Sequence, residues 1–141
     1  MTEPSRVRLV LPQVADAELL AARAVQDVGA RLGFARDTLE EVKLAVVEAC
    51  LNALEHGSGE VEVEVLGYSN GEGPRIEVLV TDHGGGFEPD KVPAPELEAK
   101  LHGNRKRGWG LELMRHLMDR VDVVSKPGFT QVRLLRRRGG L

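Results

Sequence analysis

The 141-residue chain is 42% hydrophobic but only 4% aromatic, which predicts one domain whose core is filled mainly by Leu, Val and Ala. It has no run of eighteen apolar residues, Met1–Arg8 is polar and charged, and Cys50 is the single cysteine; these features argue against a membrane span and a secretion signal, exclude disulfide support unless chains pair, and lead one to expect a reduced, cytoplasmic setting. The net charge of −3 conceals an asymmetry, with 8 Lys/Arg against 19 Asp/Glu in residues 1–99 and 11 against 3 in residues 100–141, a split that fits either an anion-binding face or a solvated basic surface.

Arg6–Leu11 alternates polar and apolar residues and reads as a strand ended by Pro12. Between Ala15 and Leu32 the apolar positions Ala17, Leu20, Ala21, Ala24, Val28 and Leu32 form a helical stripe, which Gly33 terminates. A second helix is predicted to open at Asp37 or Thr38, with Glu40 or Glu41 completing a capping box, and to end at Gly57. Val61–Leu66 alternates with glutamates as a half-buried strand does, and Asn70-Gly71 joins it to Ile76–Thr81 as a hairpin. Residues 89–107, with three prolines and no period, read as a long loop, and loops of that length inside a small domain are usually functional or disordered. Gly110–Arg120 resumes helical spacing, and strands over Val121–Ser125 and Thr130–Leu135 flank a Pro127-Gly128 turn. The order β-α-α-β-β-loop-α-β-β implies an α+β, two-layer sandwich with helices on one face of a mixed, mainly antiparallel sheet. Arg136–Arg138 reads as a solvated tail.

Three motifs carry chemistry. On the second helix Glu48, Asn52 and His56 recur every four residues and so share one side. An amide oxygen such as that of Asn52 can ligate Mg²⁺, and a carboxylate such as that of Glu48 can take a proton from a hydroxyl, although polar residues at this spacing also occur on plain solvated helix faces. Asp82-His83-Gly84-Gly85-Gly86-Phe87 follows a strand. Its glycines permit close backbone approach, and Asp82 could accept a hydrogen bond from the exocyclic amine of adenine or simply cap a turn. It is not a Walker A loop, because no Gly-Lys-Ser/Thr follows. Arg105-Lys106-Arg107-Gly108-Trp109-Gly110-Leu111 closes the long loop and opens a helix, where free backbone N–H groups and basic side chains attract phosphate, with a solvated basic loop as the rival.

Taken in order, Glu-x3-Asn-x3-His, Asp-x-Gly-x-Gly-Phe and Gly-x-Gly-Leu resemble the N, G1 and G2 boxes of the Bergerat-fold ATPase superfamily shared by gyrase, the ninety-kilodalton heat-shock chaperone, sensor histidine kinases and MutL proteins. Val47–Ala53, Gly110–Met114 and Leu117–Val121 are most similar to the anti-sigma-factor serine/threonine kinases of bacterial sporulation and stress responses, and the resemblance extends over nearly all of residues 1–141.

That resemblance implies ATP and Mg²⁺ as cofactors and assigns roles by position. Asn52 would hold Mg²⁺ and Glu48 would be the catalytic base. Asp82 would read adenine with Thr130, and Gly84 and Gly86 would let the base lie close. Residues 89–107 would form the ATP lid, and Lys106, Gly108 and Gly110 would meet the phosphates. The implied activity is phosphorylation of a STAS-type anti-anti-sigma protein alternating with sequestration of a sigma factor, by a homodimer without direct nucleic-acid or membrane contact. The alternative is a sigma antagonist that binds nucleotide but transfers nothing. Two positions depart from the subfamily pattern: His83 stands where asparagine is more usual, and Lys106 replaces an arginine directed at the terminal phosphate. Cys50 reads as a small core residue, and His102 and His116 lack metal-ligand companions.

Overall fold

The alternation of valine with glutamate along Val61–Tyr68 sorts that strand into two faces, and the rest of the sheet follows the same division. A computed structural model describes residues 5–56, 60–83 and 110–139. In chain order these form β1 (Ser5–Leu11), α1 (Glu18–Arg31), α2 (Arg36–His56), β2 (Val61–Tyr68), β3 (Arg75–Asp82), α3 (Gly110–Leu117), β4 (Arg120–Lys126) and β5 (Phe129–Arg137). The strands build one sheet in the order β1-β2-β3-β5-β4, and all four pairings are antiparallel. No helix among the described residues is long and apolar enough to cross a membrane.

One sheet face presents Leu11, Val61, Val63, Val65, Ile76, Val78, Val80 and Leu134, all buried. Helices α1 and α2 cover it with Ala21, Val25, Val28, Val42, Ala45, Val46 and Ala49. The small side chains of this core let the layers approach closely. A Cβ added at Gly67 of β2 would lie 2.6 Å from Val28 Cγ1 and 2.9 Å from Leu32 Cδ1, so the absence of a side chain there sets how near α1 lies to the sheet. Cys50 belongs to this core, fully buried, and burial pushes its thiol up to about 12, which keeps it neutral and unreactive.

The helix ends differ from the sequence expectation for local reasons. Helix α1 begins at Glu18 rather than Ala15, because Asp16 takes a left-handed backbone (φ 65°) and Val14–Ala17 closes as a turn. It ends as expected at Gly33, where the Gly33 N–H donates to Ala30 O and the Phe34 N–H to Gly29 O in a Schellman arrangement. Helix α3 stops at Leu117 because the Asp119 N–H turns to Leu135 O and the chain enters β4.

The charge asymmetry resolves into pairing between elements. Basic β5 lies beside acidic β3, so Arg133 bonds Glu77, and Arg137 lies 3.6 Å from Glu72. Arg136 corrects the reading of residues 136–138 as a solvated tail. Strand alternation turns it toward the helices, where it is 8% exposed and bonded to Glu41.

Gly67→Ala should lower stability by about 1–3 kcal/mol, since buried, β-branched Val28 cannot swing away from the added methyl. Urea unfolding measures this, and a stability equal to that of the parent would contradict the close-packing account.

Candidate functional site

The buried stripe Val42, Ala45, Val46 and Ala49 fixes the rotation of α2 on the sheet. Glu48 and Asn52, one turn apart, then project from the flank that meets α3. The first residue of α3, Gly110, is buried against them. A Cβ at Gly110 would stand 3.1 Å from Asn52 Nδ2 and 3.2 Å from Glu48 Cγ. A side chain there would press on both, and they would have to give by a few tenths of an ångström. The polar flank of α2 is thus held against the end of α3 at which backbone N–H groups lack intrahelical partners and the helix potential is positive. The Oδ1 atom of Asn52 is buried with no hydrogen-bond partner among the described residues. Such an atom costs about 1–3 kcal/mol, and a carboxamide oxygen suits a hard cation.

At the end of β3, Asp82 is 4% exposed and faces the helix layer. Its register partners are Val61 of β2 and Thr130 of β5, and Thr130 in turn pairs with Ser125 of β4. A carboxylate and two hydroxyls therefore form a row across β3, β5 and β4, with the Ser125 and Thr130 oxygens 3.4 Å apart. Sequence reading singled out Asp82 and Thr130 but missed Ser125. The signal for it lay in the two-residue turn Pro127-Gly128, which pairs Ser125 with Thr130. His83 lies at the opposite sheet face, 3.7 Å from Glu62 and edge-on to Phe129.

The structure therefore brings Glu48, Asn52 and Gly110 together, and sets Asp82 opposite Thr130. Gly84, Gly86, Lys106, Gly108 and the segment 89–107 lie outside the described residues, as does the side chain of His56.

Comparison with known proteins identifies the family. Residues 11–136 match the histidine kinase-like ATPase domain family. The chain is 28% identical over 133 residues to the serine-protein kinase RsbW of Bacillus cereus (strain AH820), covering 89% of this chain and 81% of that protein. It is 36% identical over 118 residues to the serine-protein kinase RsbW of Bacillus pumilus (strain SAFR-032), covering 73% and 68%. Among solved structures, the RsbU and RsbW domains of Rv1364c from Mycobacterium tuberculosis match with a TM-score of 0.67 over 94% of this chain. At 18% identity that likeness speaks for the fold alone, and the chain spans about a third (32%) of that larger protein. The chain belongs to the histidine kinase-like ATPase domain family, in the branch of the RsbW serine-protein kinases.

Proposed function

We propose that this chain binds ATP with Mg²⁺ and transfers the γ-phosphoryl group to a serine or threonine of a STAS-type anti-anti-sigma protein, and that it alternatively sequesters a sigma factor. The observation that carries this reading is the seating of Gly110 against Glu48 and Asn52. It joins residues of two motifs more than fifty positions apart into one polar recess at a helix N-terminus.

Asp82 accepts the hydrogen bond of the adenine amine, with the Thr130 hydroxyl beside it and Ser125 orienting Thr130. Guanine would turn an oxygen toward the Asp82 carboxylate and leave polar groups unpaired. The backbone N–H groups opening α3 face the phosphates. Asn52 Oδ1 would hold Mg²⁺, and the ion would supply positive charge to neutralise the phosphates. Glu48 takes the proton of the incoming hydroxyl as its oxygen bonds to the γ-phosphorus, while the bond to the β–γ bridging oxygen breaks and ADP leaves. By the motif resemblance alone, Gly84 and Gly86 would serve the adenine, Lys106 and Gly108 the phosphates, and residues 89–107 would be the lid. We place the protein in the cytoplasm as a homodimer that makes no direct nucleic-acid or membrane contact; for the nucleic-acid part, the pairing of Arg133, Arg136 and Arg137 with Glu77, Glu41 and Glu72 supports the reading.

Asp82→Asn should weaken ATP binding about ten- to a hundred-fold, the loss of one buried charge-assisted hydrogen bond, and should erode the preference for ATP over GTP. Calorimetry with both nucleotides reads this, and unchanged ATP affinity would remove the adenine role. Glu48→Gln and Asn52→Ala should separate transfer from binding. Glu48→Gln keeps ATP affinity but slows single-turnover phosphorylation of the STAS partner, toward the lower end of about 10²–10⁴-fold, since a dissociative transition state asks little of a base. Asn52→Ala loses Mg²⁺-dependent ATP binding, and transfer falls with it. Full transfer by Glu48→Gln would sink the base assignment, and no transfer by the wild type would favour a non-catalytic sigma antagonist.

A further inference from the structure

Arg136 is the most deeply buried guanidinium among the described residues, and nothing assigned above uses it. Its Nη1 donates to the carbonyl of Leu117, the last residue of α3, and its Nη2 donates to Glu41 Oε1 of α2 at 3.1 Å. Its Nε is buried with no hydrogen-bond partner among the described residues. One side chain thus ties β5, α2 and the C-terminal end of α3. That end is anchored twice more, through the Asp119 N–H to Leu135 O (2.8 Å) and the Arg137 N–H to Asp119 Oδ2 (2.6 Å).

Burying a guanidinium is costly, and well-packed apolar residues often replace buried ion pairs with no loss of stability. Stability alone is therefore a poor account of Arg136. Placement is a better one. Gly110 and Leu117 are seven residues apart on α3; Gly110 lies against Glu48 of α2, and Leu117 is linked through Arg136 to Glu41, seven residues before Glu48. Seven residues are close to two turns, about 10.5 Å, on both helices. So α3 lies antiparallel along α2 as a short rod, held by Arg136 at one end and meeting Asn52 at the other. The guanidinium presents its donors in a fixed planar fork, so it holds a helix carbonyl and a carboxylate in set directions, which a rotatable ammonium on a single nitrogen does less rigidly.

We infer that Arg136, braced by Glu41, is a positioning residue that sets where the N-terminal end of α3 lies against Asn52. It thereby governs how tightly the phosphates of ATP are held without touching the adenine end. The inference rests on the nucleotide reading above and extends it to a residue remote from the ligand.

Arg136→Lys and Glu41→Ala test it in the full chain. ATP with Mg²⁺ is titrated by calorimetry and adenosine at millimolar concentration by NMR, with melting curves confirming a folded protein. Both variants should bind ATP about three- to thirty-fold more weakly, while adenosine affinity stays within about twofold and Glu41→Gln, which keeps an acceptor oxygen, recovers most of the loss. Wild-type ATP affinity in the variants, or an equal loss for adenosine and ATP, would overturn the inference. Should Arg136→Lys fail to fold, Glu41→Ala decides alone, because Glu41 is half exposed. A wild type that binds adenosine and ATP equally weakly would instead sink the phosphate site itself, and this inference with it.

Discussion

The approach of α3 to the polar flank of α2 depends on a missing side chain. A Cβ at Gly110 would press on Asn52 Nδ2 at 3.1 Å and Glu48 Cγ at 3.2 Å, so both side chains would have to give by a few tenths of an ångström for the helices to keep their present separation. Everything around this contact serves to hold it. The apolar stripe of α2 fixes which way Glu48 and Asn52 point, the sheet supports that stripe, and the hydrogen bonds from β5 pin the far end of α3. Among the described residues Asn52 Oδ1 is buried without a partner, a cost of the kind that functional sites retain and that the surrounding core offsets.

The same sheet places the second half of the site. Because β5 is inserted between β3 and β4, a single row of the ladder carries Asp82, Thr130 and Ser125 toward the helices. The insertion also brings β5 beside β3, where Arg133 pairs with Glu77, while Arg136 and Arg137 of the same strand pair with Glu41 and Glu72, so part of the charge asymmetry along the chain is compensated in space. Most of these pairs are partly exposed and worth little individually. Arg136 differs, since its charge is buried and its partners lie on two helices.

Much of this was legible in the residues, for identifiable reasons. Period-two alternation in Val61–Leu66 and the turn residues Asn70-Gly71 and Pro127-Gly128 mark hairpins that the structure contains. The four-residue spacing of Glu48 and Asn52 put them on one side of α2, and Gly33 marks the true end of α1. The order of strands was not legible, because alternation says which face a residue takes but not which strand lies beside it. For that reason Arg136, within a run of three arginines, reads as a tail; Ser125, by contrast, lies within the legible Pro127-Gly128 hairpin, opposite Thr130, and no motif marks it. The start of α1 was misplaced because a left-handed Asp16 interrupts a stripe whose apolar spacing continues across it.

The account places the phosphates and their metal at the junction of α2 and α3, with adenine at the Asp82–Thr130 end. Paramagnetic NMR with ATP and Mn²⁺ in place of Mg²⁺ reads that placement directly, because relaxation falls off steeply with distance from the ion. Broadening should be strongest for Asn52 and Gly110, while Thr130 should shift with adenosine alone and broaden less. Broadening centred elsewhere, with Asn52 and Gly110 left sharp at saturating nucleotide, would contradict the account.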